Sequence, residues 1–206
     1  MKQYAQYKTI TAHSKGLFKA KGSKFIALAY PVFSESEIKD LLEKLQKEYH
    51  DARHHCYAYR LKPDASIYRM NDANEPKYSA GQPILKQLER FELTNIIIVV
   101  VRYFGGTKLG IGGLIEAYRN AAKDAINNAT IISRSQEDIY KLKFQYETMN
   151  EVMNIINQPK DKISQINKQF DESCELLISL NKDVAQVALE KLDKLPNLEV
   201  EFIETR

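Results

Sequence analysis

No stretch of this chain approaches ~18 consecutive apolar residues, so a membrane-spanning helix is not expected. The opening residues, MKQYAQYKTITAHSKG, lack the apolar core of a secretory signal, which argues against export. Cysteine is scarce. Cys56 and Cys174 lie far apart in sequence and read as the free thiols of a cytoplasmic protein rather than as a disulfide. There is no Cys-x-x-Cys and no paired-ligand spacing, so no metal site and no cofactor is implied. Glycine numbers only eight, and beyond Arg134 the chain contains neither glycine nor histidine. Any chemistry is therefore expected in the first two thirds.

The composition that remains is that of a globular protein, 44% hydrophobic and 28% charged over 206 residues, a length that suits one large or two small domains. The formal net charge of +3 conceals an asymmetry. From Gln136 onward there are 9 Lys+Arg against 14 Asp+Glu, and the first 135 residues carry 21 against 13. A basic module joined to an acidic one suggests different partners for the two, although charge alone is also compatible with ordinary solvation.

Periodicity divides the chain at the same place. In the first module, 8–12, 25–32, 54–61 and 96–101 read as strands, with a turn at Lys21-Gly22-Ser23 and a hairpin partner at 66–70. Ser34 with Glu37 forms a capping box for a helix over 34–49, and Ile38, Leu41, Leu42 and Leu45 recur at helical spacing. Pro83 suits the first turn of a second helix, and a third is expected over 113–128. Residues 130–134 end the module. The remainder reads strand, helix 148–157, strands 163–170 and 174–180, helix 183–195, strand 198–203. That βαββαβ order is the ferredoxin-like split unit. The expected organisation is α+β in two domains, 1–134 and 135–206.

The most informative segment is NIIIVVVRYFGGTKLGIGGLIEAY, 95–118. A strand buried on both faces runs into Arg102, two aromatics and a cluster holding five of the eight glycines, Gly105, Gly106, Gly110, Gly112 and Gly113. Glycine between a strand and a helix start lets backbone approach a ligand closely, and the open N–H groups of the helix turn favour an anion. Lys108 and Arg102 flank the place, so Arg102, Lys108 and the amides of Gly112-Gly113 are expected to form one anion site. The segment matches neither GxxxxGK[ST] nor GxGxxG, and a purely structural turn is the competing reading.

Three other groups invite a role. On a strand, Arg53 and His55 point one way and His54 and Cys56 the other, so the adjacent His and Cys do not converge as a nucleophile pair. Asp72 and Glu75 in the polar loop NDANEPKYSAG, 71–81, could bind Mg²⁺ or act as acid and base; alternatively they stabilise the loop by hydrogen bonds or an ion pair with Arg69. Twelve tyrosines, among them Tyr57, Tyr59, Tyr68, Tyr78 and Tyr103, can stack on bases or fill half-buried strand positions.

GQPILKQLERFELTNIIIVVVRYFGGTKLGIGGLIEAY, with KGSKFIA, ARHHCYAYR and RMNDANEPKYSAGQPIL before it in that order, resembles the signature of the IMPACT/YigZ family over about 20–130. The tail resembles the second domain of the bacterial YigZ-type members. The resemblance implies a first domain with the α/β fold of elongation factor G domain IV, a second like its domain V, and association with RNA or the ribosome. One departure is evident. Where the family commonly reads DDGEPSGTAG, this chain has Asn74 and Tyr78 in place of two glycines.

The residues and the resemblance together lead to an expected non-enzymatic binding protein that associates with RNA, the ribosome or a translation factor and regulates translation. The expected contacts are Arg53, His55, Arg69, Arg102, Lys108, Arg119 and the five clustered glycines, with Asp72 and Glu75 as loop candidates and no catalytic residue. Two alternatives stand beside it: an enzyme acting on a phosphorylated or nucleotide substrate at the glycine loop, and an adaptor that docks a protein through its acidic tail.

Overall fold

The computed structural model describes residues 6–157, 163–170 and 174–205. It divides into two compact units, one spanning Tyr7–Arg134 and one built from Gln6 and the described residues from Ser135 onward.

In the first unit, β2 (Ser14–Ala20), β3 (Ser23–Pro31), β6 (Ile96–Tyr103), β4 (His54–Leu61) and β5 (Ile67–Asn71) form one antiparallel sheet in the order β2-β3-β6-β4-β5. The apolar run of β6 is explained by its central place. Ile96, Ile98 and Val100 pack under α2 (Gly81–Arg90) and α3 (Gly110–Asn127), whereas Ile97, Val99 and Val101 face α1 (Glu35–Glu48). All six are fully buried, and each such side chain contributes about 1.5–3 kcal/mol relative to exposure. A two-residue alternation on one strand thus serves two cores. β1 (Gln6–Ile10) pairs with β7 (Ile131–Ser135) in a separate ribbon.

Local chemistry accounts for the element ends. Ser34 Oγ accepts the Glu37 amide at 3.2 Å as expected of the cap of α1, and the Glu37 carboxylate reaches back one residue further than in a capping box, to the Phe33 amide at 2.9 Å. α2 opens two residues before Pro83, at Gly81, and its cap comes from a distance. Asp72 Oδ1 accepts the amides of Ala80 and Gly81 at 3.0 and 2.8 Å, placing a carboxylate at the positive end of the helix. α3 opens at Gly110 rather than 113, so Gly112 and Gly113 lie inside its first turn.

The second unit comprises β8 (Glu137–Phe144), a short 3-10 turn, α4 (Met149–Ile156), β9 (Ile163–Phe170), β10 (Cys174–Asn181), α5 (Lys182–Leu192) and β11 (Glu199–Thr205). Its antiparallel sheet has the order β11-β8-β10-β9. Numbered within the unit this is 4-1-3-2, the order a ferredoxin-like βαββαβ chain produces when each helix crosses back over the sheet. The core of this unit, around Leu142, Leu176, Ile178 and Ala188, shares no residue with the two cores of the first.

Candidate functional site

The register of the central sheet brings the singled-out residues to one end. His54 on β4 and Phe25 on β3 both pair with Arg102 on β6, and Lys24 pairs with Tyr103. Arg53 therefore enters the sheet beside the point where β6 leaves it for the glycine loop. The turn between β2 and β3 closes the other side. A Cβ at Gly105 would lie 1.9 Å from the carbonyl carbon of Gly22, so the two backbones touch and neither residue can carry a side chain there. The Gly105 amide also donates to the buried Ser23 hydroxyl at 3.2 Å. This contact delivers Lys19, Lys21 and Lys24, all exposed, to the edge of the loop that carries exposed Lys108. The sequence reading missed these three lysines, although the motif KGSK contained two of them, Lys21 and Lys24.

Beneath the loop lies a buried polar cluster. Arg102 donates to Glu75 Oε1 at 2.6 Å, with the side chains only 7% and 4% exposed. The Tyr118 hydroxyl, on α3, donates to the same oxygen at 2.8 Å. The Arg102 guanidinium stacks over the rings of Phe25 and Phe104, while its Nε is buried without a hydrogen-bond partner among the described residues. Cys56 Sγ lies 3.3 Å from the Tyr118 hydroxyl and 3.1 Å from the Asp72 carbonyl. Burial pushes the Cys56 thiol up to about 12 and raises the Tyr118 hydroxyl well above its ordinary range. His54 meets the Ala73 carbonyl at 2.9 Å through Nδ1.

These contacts correct several sequence expectations. Arg102 is not an open anion contact, because its charge is matched by Glu75. The ion-pair partner of the 71–81 loop is Arg102, not Arg69, which sits exposed on β5 at the sheet edge opposite Tyr59. Asp72 and Glu75 are both committed to the fold: the Asp72 oxygens accept the amides of Tyr78, Ala80 and Gly81. His55 faces the α1 side, half-buried, with Nε2 lacking a partner among the described residues, so it is not placed to meet a phosphate. Arg119 is exposed but lies nine residues into α3, about 13 Å along the helix from Gly110. Arg53, Lys108 and the glycines remain at the sheet end. Among the described residues no group of three or more His, Cys, Asp or Glu side chains is arranged to hold a metal ion.

The five glycines differ in what holds them. Gly105 is dictated by its contact with Gly22, Gly106 and Gly110 have φ of +87° and +73°, and Gly113 packs close to the Leu109 side chain. Gly112 has none of these reasons: it is helical and exposed, and among the described residues no atom outside its own stretch of helix backbone lies within 4 Å of where its Cβ would sit.

Comparison with known proteins gives a consistent answer. The family model described as the Impact N-terminal domain matches residues 21–126. The chain is 32% identical to the IMPACT family member YigZ of Escherichia coli over 78% of each chain. It is 29% identical to the family member YvyE of Bacillus subtilis, over 85% of this chain and 80% of that one. A crystal structure described only as that of a hypothetical protein superposes with a TM-score of 0.76 at 27% identity, covering 97% of this chain and 98% of the other.

Proposed function

The chain belongs to the IMPACT family, and from that premise we propose that its first unit is a non-catalytic RNA-binding module acting at the ribosome or beside a translation factor. The contact surface is the sheet end around Gly105–Gly113. Gly112 carries the reading. A glycine inside a helix costs about 1 kcal/mol relative to alanine, and nothing among the described residues requires one there. An external group that approaches the backbone at the start of α3 does require it. Phosphate suits that position: Lys108 is exposed in the loop leading into α3, Lys19, Lys21 and Lys24 are exposed at the turn that docks on Gly105 of the same loop, the first turn of α3 contains no acidic residue, and no side chain among the described residues caps it.

The rival reading, an enzyme for a phosphorylated or nucleotide substrate, needs a group free to attack or to move a proton. Cys56 is buried as a neutral thiol, and Asp72 and Glu75 hold the loop together. The binding reading makes no such demand.

The test is fluorescence anisotropy with ribosomal RNA across a salt series. Four lysine–phosphate contacts give a log–log slope of about −3, at about −0.7 per contact on single strands. Replacing Lys21 and Lys108 by Ala lowers the slope by about 1.4. Absence of binding at low salt defeats the proposal.

A further inference from the structure

The loop that carries Glu75 holds an anomaly that the buried cluster does not explain. Ala73, Asn74 and Tyr78 all have left-handed backbones, with φ of 41°, 68° and 63°. Asparagine tolerates that region, but a bulky side chain meets the following carbonyl there, so Tyr78 holds its conformation at a cost in backbone energy. The residue is 47% exposed, and its backbone is held by the Asp72 carboxylate, which accepts its amide at 2.8 Å. The Lys77 ammonium lies 4.9 Å from its centroid. Phe104 is 55% exposed, and the Arg102 guanidinium lies over its ring, 5.6 Å from the centroid. Glu75 is three residues from Tyr78, at most about 11 Å along the chain, and its partner Arg102 lies over Phe104, so one ion pair links the segments that carry the two exposed rings.

We infer that Tyr78 and Phe104 are stacking platforms for unpaired bases, which makes the ligand of this surface single-stranded RNA. The inference rests on the RNA-binding reading above and narrows it. Aromatic faces supply base-independent stacking, and the adjoining lysines track the backbone. A duplex, with its bases already stacked, gains nothing from the rings.

Three fluorescein-labelled probes of equal length test this against the full chain: oligouridylate, an abasic sugar-phosphate oligomer, and duplex RNA. Oligouridylate is expected to bind most tightly. Tyr78→Ala and Phe104→Ala each weaken it about tenfold and leave the abasic oligomer unchanged, while Tyr78→Phe and Phe104→Tyr bind as the parent does. Tyr78→Gly separates binding from folding: relief of the left-handed tyrosine raises its melting temperature, yet it binds as weakly as Tyr78→Ala. Equal affinity for the three probes, duplex preference, unchanged binding in the Ala variants, or parallel loss of abasic binding overturns the stacking surface while leaving RNA binding intact. Failure to bind any probe overturns both readings.

Discussion

Glu75 Oε1 is the shared acceptor of Arg102 and Tyr118, and through it a surface loop, the end of the central strand and the middle of α3 are tied at one buried oxygen. Removing one partner of a buried ion pair leaves the other charge unmatched. Glu75→Ala is therefore expected to cost about 3–5 kcal/mol, measured by urea unfolding. The double replacement Glu75→Leu with Arg102→Met removes both charges and recovers most of that loss. Tyr118→Phe, which deletes the buried hydrogen bond to Glu75 and the weaker one from the Cys56 thiol, costs about 1–3 kcal/mol.

Gly112→Ala is expected to move stability and binding in opposite directions. The added methyl meets no neighbouring side chain or strand among the described residues, so stability rises by up to about 1 kcal/mol. RNA affinity falls, because the methyl occupies the space through which the ligand reaches the backbone. A variant that is more stable and binds equally well removes the observation on which the functional proposal stands.

His55 makes stability pH-dependent. Burial lowers its pKa below the ordinary histidine value, so the unfolded chain takes up a proton more readily than the folded one. Stability is complete above the unfolded histidine range and is lost as pH falls through it toward the depressed folded value. Thermal melts between neutral and mildly acidic pH should show the decline, and His55→Gln should flatten it.

The two units are expected to fold separately, as their cores have no residue in common. A fragment of residues 1–134 should unfold cooperatively and retain RNA affinity. A fragment that starts after Ile10 should be less stable, because it loses β1 and with it the buried side chains of Tyr7, Thr9 and Ile10. Circular dichroism and limited proteolysis distinguish these outcomes.

Much of the fold was legible from local pattern. The unbroken apolar run Ile96–Val101 could only be a strand buried on both faces, and Ser34 with Glu37 marked the start of α1, because those signals act between residues a few positions apart. The βαββαβ order of the last 72 residues was visible for the same reason, and the sheet order that makes it ferredoxin-like followed from it. The glycine cluster and the lysine beside it were also plain in the sequence. What the sequence could not determine were the pairings across long separations. Asp72 caps a helix eight residues on, Glu75 neutralises Arg102 from 27 residues away, and the Gly22 turn docks on Gly105 from 83. Whether Arg102 faces solvent or a carboxylate depends on which strands are neighbours and in what register. Those are properties of the packed sheet, and no periodicity along the chain encodes them.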